Sequence, residues 1–184
     1  VIAAREAMDW ITHTARVASK DGAAPIQWST PDGFVVQQAK YEEKNITVET
    51  YLDGGRRVQS RIVEDTKKLD ARKMSQSLSP NYIHSLDACH MRMAICRALD
   101  LEAHMSFAMI HDSFGVHAAD MPRFSEECIK PAFVDMYEGK NHLATFKKEL
   151  MLNVRDENIE DVKPLPTIGK LEVREVLNSQ FFFS

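Results

Sequence analysis

Two short turn signals, Pro31-Asp32-Gly33 and Asp53-Gly54-Gly55, each lie between runs rich in β-branched and aromatic residues, so each makes the chain double back on itself. In the first, Pro31 presets one dihedral angle and Gly33 accepts positive φ. Ile26-Gln27-Trp28-Ser29-Thr30 and Phe34-Val35-Val36-Gln37-Gln38 are therefore expected to pair as a β-hairpin. In the second, Ile46 to Leu52 and Arg56 to Val63 flank the glycines and form another. Two hairpins exclude an all-helical fold. Helical patterns surround them: Val1, Ala4, Met8, Ile11 and Ala15 recur at helical spacing, without a preceding N-cap, in a segment reaching about residue 20. The class implied is α+β.

Residues 64–80 are polar and aperiodic and end at Ser79-Pro80, which predicts an irregular connection and a helix starting at Asn81. The boundary between two lobes, 1–75 and 76–184, is expected here. From Asn81 to Leu99, Leu86, Cys89, Met93 and Cys96 trace an apolar helix face, with His84, Asp87 and Met91 on an adjoining one. Met105 to Ile110 and Phe114 to Ala118 read as short strands joined by His111-Asp112-Ser113, which puts Asp112 at the tip of a tight antiparallel hairpin packed on helices. Asp120 and Asn141 are N-cap candidates for two further helices, the first disturbed by Pro131 and the second running through Met151. A short helix is expected over Leu171 to Asn178, and Phe181-Phe182-Phe183-Ser184 ends the chain.

At 184 residues and 44% hydrophobic, the chain can build one substantial core or two small lobes. It has no apolar run approaching the ~18 residues that cross a bilayer, so no membrane role is expected. Three cysteines without CxxC spacing point to a reducing, intracellular setting. A net charge of −4 does not suggest nucleic acid, but between Arg56 and Lys73 seven cations face three carboxylates, a stretch suited to following phosphates. An aspartate on a tight turn between apolar strands presents its oxygens to a metal from a fixed backbone, although an aspartate that satisfies turn amides has the same local sequence. His84, Cys89, His90, Cys96 and His104 fit no usual zinc spacing.

The helix start Pro80-Asn81-Tyr82-Ile83-His84-Ser85-Leu86-Asp87, followed about two dozen residues on by Phe107-Ala108-Met109-Ile110-His111-Asp112-Ser113-Phe114, resembles the palm of single-subunit DNA-dependent RNA polymerases of phage and mitochondrial type. Trp28-Ser29-Thr30-Pro31-Asp32-Gly33-Phe34 resembles that family's W-x-T-P-x-G segment, and Phe182-Phe183-Ser184 its mitochondrial members' terminus. The resemblance implies the C-terminal part of the enzyme. Residues 1–75 would be the end of the fingers, with a promoter-specificity hairpin at about 44–63, and 76–184 the C-terminal palm. It makes Asp112 a ligand of both catalytic Mg²⁺ ions, shared with an aspartate upstream and absent from this chain. His84 is implied near the nascent base pair or RNA–DNA hybrid, and His111 as support for the turn. Arg56, Arg57, Gln59 and Arg61 are chemically suited to promoter bases, since Arg pairs with guanine and Gln with adenine. The three phenylalanines near the end would anchor the tail against the palm. The partners implied are DNA template and promoter, nascent RNA, ribonucleoside triphosphates and the rest of the polymerase, in the same or a separate chain. The chain alone is expected to be inactive. A phage enzyme in the host cytoplasm is favoured over a mitochondrial one. The rival readings are a family A DNA polymerase, against which Ser113 stands in place of that family's glutamate, and a non-catalytic DNA-binding module built on the basic hairpin.

Overall fold

The computed structural model describes residues 2–20, 24–101, 104–110, 112–152 and 154–182. Helix α1 (Ile2–Ala18) buries Trp10, Ile11, Thr14, Ala15, Val17 and Ala18 along one side. Strands β1 (Ile26–Ser29) and β2 (Val35–Gln38) pair antiparallel, with Trp28 opposite Val36. Their turn is as the residues demand: Gly33 has φ 86°, its N–H reaches the Thr30 carbonyl at 2.8 Å, and Thr30 N–H reaches the Phe34 carbonyl at 2.9 Å.

The second hairpin is longer than its turn signal predicts. Strands β3 (Tyr41–Leu52) and β4 (Arg56–Leu69) pair in register from Lys44–Glu64 to Leu52–Arg56, with a bulge near Tyr41 and Glu43. Almost all of their residues are exposed, so the ribbon stands out from the body. Alternation gives it two faces. One carries Ile46, Val48, Thr50, Leu52, Arg56, Val58, Ser60 and Ile62; the other carries Asn45, Thr47, Glu49, Tyr51, Arg57, Gln59, Arg61 and Val63.

The expected irregular connection over 64–80 does not exist. Strand β4 continues to Leu69, and helix α2 (Ala71–Asp100) then runs for 30 residues, about 45 Å at 1.5 Å per residue. Asp70 is the N-cap, its carboxylate accepting from Lys73 N–H at 2.9 Å. Pro80 sits inside the helix, where it removes one backbone bond at a typical cost of ~3 kcal/mol. Pro80 and Gln76, whose carbonyl loses its partner, are both exposed, so the break lies on the solvent side of the helix. Met74, Leu78 and Tyr82 are buried on either side of the proline, each contributing ~1.5–3 kcal/mol, and packing outweighs the break.

Helix α2 is the central pillar. Its Leu78, Tyr82, Leu86 and Cys89 join Trp10, Ile11 and Ala15 of α1, Ile26 and Trp28 of β1, and Met136, Phe146 and Leu150 in one core cluster. Further along, Ala94 and Ala98 join Phe124, Cys128, Ile129 and Ala132 in a second. The short strands β5 (Ala108–Ile110) and β6 (Ser113–Gly115) lie over the second cluster, with Phe107, Met109 and Phe114 packed against it. Both are shorter than the sequence pattern implies.

The expected helix after Asp120 is divided. A turn of α3 (Met121–Arg123) leads into a π-helical segment, Phe124–Ile129, and then α4 (Lys130–Tyr137). Asp120 makes no side-chain cap. Pro131 cannot donate to the carbonyl of Glu127 four residues back, and that carbonyl accepts from Arg97 Nε at 2.9 Å instead. Helix α5 (His142–Met151) is capped as its sequence predicts, with Asn141 Oδ1 accepting from Ala144 N–H at 3.0 Å. Two 3₁₀ segments follow, Asp156–Asp161 and Val173–Asn178, the latter where a short helix is expected. The described residues are α+β, helices with three separate two-stranded antiparallel sheets.

Candidate active site

Pairing of Ile110 with Ser113 puts Asp112 at the tip of the β5–β6 hairpin. Close approach of the two strands depends on Gly115, where a Cβ would lie 2.5 Å from the Ala108 carbonyl oxygen. Asp112 is thereby held in front of α2. Its exposed side chain lines a cavity of about 410 Å³ together with His84, Asp87, Ala88 and Met91. The helix face that carries His84, Asp87 and Met91 is therefore the wall opposite the aspartate.

The sequence motifs pair His84 with Asp112, and both line this cavity. Asp87, one turn beyond His84, is an addition. Burial raises the Asp87 carboxyl above its usual value; His84 opposes that shift and the charge of Asp112 adds to it. His111 falls outside the described residues, as do Phe183 and Ser184 of the tail. Of the other two tail phenylalanines, Phe181 is 80% exposed whereas Phe182 packs on the second core.

His90 is buried beneath the hairpin. Its Nε2–H donates to the Ile129 carbonyl at 2.9 Å, and its ring meets Phe114 and Phe133 edge-on, each at 5.5 Å between centroids. Burial lowers its pKa, which keeps the imidazole neutral. The π-helical segment supplies the carbonyl and β6 supplies Phe114, so His90 ties both to α2 behind Asp112.

The proposed base-reading residues lie apart from this cavity, on the projecting ribbon. Arg57, Gln59 and Arg61 share one face; the pleat turns Arg56, opposite Leu52, to the other. Glu49 accepts hydrogen bonds from both Arg57 and Gln59. Glu42 and Glu43 pair with Lys68 at 2.8 Å and Lys73 at 2.6 Å. Carboxylates of β3 thus offset three of the seven cations between Arg56 and Lys73. No group of three or more His, Cys, Asp or Glu suited to a metal occurs among the described residues. One exposed carboxylate with a second nearby is still a fitting partial site for Mg²⁺, which takes one or two carboxylates and completes its shell with water and phosphate oxygens.

Residues 1–163 match the sequence profile of the DNA-dependent RNA polymerase family. The chain belongs to that family. Along its full length it is 31% identical to T7 RNA polymerase of Escherichia phage T7 and 30% identical to the DNA-directed RNA polymerase of Enterobacteria phage T3, covering 22% of each. It is 29% identical to the mitochondrial DNA-directed RNA polymerase 1 of Nicotiana sylvestris, where 99% of this chain covers 17% of that protein. It spans about a fifth of the length of these polymerases. No helix among the described residues is long and apolar enough to cross a membrane.

Proposed function

We propose that this chain forms the C-terminal part of a DNA-directed RNA polymerase and carries one of the two aspartates that hold its catalytic magnesium. The observation that carries this reading is Asp112 at the tip of a two-stranded hairpin, facing His84 across one cavity, in a chain of this family. Residues 1–75 act as the end of the fingers and 76–184 as the C-terminal palm, with α2 crossing between them. The second aspartate and the triphosphate-binding residues come from the upstream remainder of the enzyme.

In the assembled site Asp112 holds the metal pair with oxygen ligands from a backbone fixed by strand pairing. Magnesium bound there would supply the Lewis acidity that activates a primer hydroxyl and offsets charge on a pyrophosphate leaving group in nucleotidyl transfer. His84 lies where it meets the nascent base pair or hybrid, and His111 supports the tip. Asp87 adds negative potential on the opposite wall. On the ribbon, the face with Arg57, Gln59 and Arg61 is the one turned to promoter bases; Arg56, on the other face, contributes charge rather than readout. The ligands of the complete enzyme are template and promoter DNA, nascent RNA and ribonucleoside triphosphates, and it works inside the cell, in a phage-infected host or in an organelle.

Asp112→Asn in the complete polymerase tests this. Removing one ligand of the metal pair forfeits several kcal/mol of transition-state stabilisation, so Mg²⁺-dependent ribonucleotide incorporation on a primed template should fall about 10³-fold with template affinity unchanged. Incorporation within about tenfold of wild type would refute the role of Asp112.

A further inference from the structure

Where the last turn of α1 meets the first turns of α2, Arg16, Ser19, Ala71, Arg72, Ser75 and Gln76 line a polar cleft of about 400 Å³. None of these lining residues is a carboxylate. The Ser19 and Ser75 hydroxyls form a buried floor, donating to the Ala15 and Arg72 carbonyls at 2.7 and 3.0 Å. The guanidiniums of Arg16 and Arg72 have no ion pair or hydrogen bond among the described residues. Other cations nearby are matched: Lys20 with Asp161 at 3.3 Å and Lys73 with Glu43 at 2.6 Å. The nearest carboxylate in sequence, Asp70, caps α2 by accepting from Lys73 N–H. Two exposed guanidiniums bordering one cleft repel each other, and an anion between them turns that cost into binding. A phosphate suits them, because each guanidinium presents a planar fork of donors matched to phosphate oxygens.

The cleft is also joined to the ribbon. Asp70 N–H donates to the Lys40 carbonyl at 2.8 Å, which ties the start of α2 to the root of the β3–β4 hairpin. We propose that Arg16 and Arg72 bind a backbone phosphate of a nucleic acid that also lies along the hairpin. The inference extends the nucleic-acid reading of the hairpin and depends on it for the identity of the phosphate donor. The cleft positions the strand without reading its sequence.

The test is the salt dependence of duplex DNA binding by the complete polymerase, followed by fluorescence anisotropy. Each phosphate contact contributes about 0.9 to the slope of log K against log salt, so Arg16→Gln/Arg72→Gln should reduce the slope by about 1, equally for promoter and unrelated sequences. The charge-preserving Arg16→Lys/Arg72→Lys pair should keep the slope. Circular dichroism checks that both variants fold as the wild type does. An unchanged slope in the Gln pair, or a loss as large in the Lys pair, would overturn the assignment. If Arg57→Ala weakens binding while the Gln pair does not, the hairpin reading stands and the cleft falls. If the Gln pair lowers the slope and Arg57→Ala has no effect, the cleft holds a duplex phosphate but the path along the hairpin is overturned. Arginine-dependent binding of inorganic phosphate at low millimolar concentration that leaves duplex binding and its salt slope unchanged would identify a free-anion site and refute the backbone assignment.

Discussion

Arg92 of α2 reaches across to the β1–β2 turn and grips Asp32 with two donors, Nε at 2.6 Å and an Nη at 3.0 Å, while the same Nη meets Thr30 Oγ1 at 3.1 Å. Its guanidinium also lies over the Phe34 ring, 4.7 Å from the centroid. This pins the first hairpin to the pillar helix two turns beyond His84. The Arg92 hydrogen bonds hold the Asp32 carboxyl well below the usual carboxylate range. The sign follows from that depression: the pair stabilises the fold above the ordinary value of 3.8 and loses its contribution as pH falls below it. Asp32→Asn should cost about 1 kcal/mol at neutral pH, discounted for the partial exposure of both groups. The gap between wild type and variant should narrow as pH drops from about 5 to about 2.5 in denaturant unfolding, and close only as pH falls on through the depressed folded-state pKa. A gap that stays constant over that range would mean that Asp32 stabilises the turn by shape rather than by charge.

At the scale of elements, Gly115 decides whether the β5–β6 hairpin closes. Any side chain there meets the Ala108 carbonyl, a backbone atom with nowhere to retreat, so Gly115→Ala should cost ~1–3 kcal/mol and move the tip that carries Asp112. In the complete polymerase the expected result is a lower kcat with little change in template affinity; full activity with unaltered stability would show that the hairpin yields at no cost. This hairpin was legible in the sequence because its signals are local: an apolar run, a polar tip, a second apolar run. The same is true of the Pro31-Asp32-Gly33 and Asp53-Gly54-Gly55 turns and of the Asn141 cap. Local signals failed where tertiary packing overrode them. Pro80 marks a helix start by propensity, yet burial of Leu78 and Tyr82 carries α2 straight through it. The basic stretch from Arg56 to Lys73 looked uncompensated because the carboxylates that answer it, Glu42, Glu43 and Glu49, are brought alongside only by strand pairing. His84, Asp87 and Met91 could be put on one face by helical spacing, but the partner of that face, Asp112, came from the motif resemblance and not from periodicity.

Across the whole molecule, α2 links two cores and carries one wall of the Asp112 cavity, so global stability and site geometry share one element. Three histidines, His90 buried and His13 and His142 half-buried, carry its pH dependence. Burial is the main cause of a lowered pKa at His13, His90 and His142; Lys163 and Arg16 add to it at His13, while backbone hydrogen bonds oppose it at the other two. His142 Nε2–H donates to the Met136 carbonyl at 2.8 Å, beside Tyr137, much as His90 donates to Ile129. A base whose folded pKa lies below its unfolded value of 6.5 takes up its proton first in the unfolded chain. The stability it contributes is therefore complete above about pH 6.5 and declines as pH falls through and below that value. Asp87 acts with the opposite sign, because its raised carboxyl pKa makes acid favour the fold. The urea midpoint should consequently drop between about pH 7.5 and about pH 5.5, and His90→Gln, which retains a side-chain N–H donor and removes the titrating ring, should flatten that drop. A midpoint that held steady or rose on acidification would show that these rings are not kept neutral by the fold, and would remove the grounds for treating the His90 support behind Asp112 as a fixed, uncharged strut.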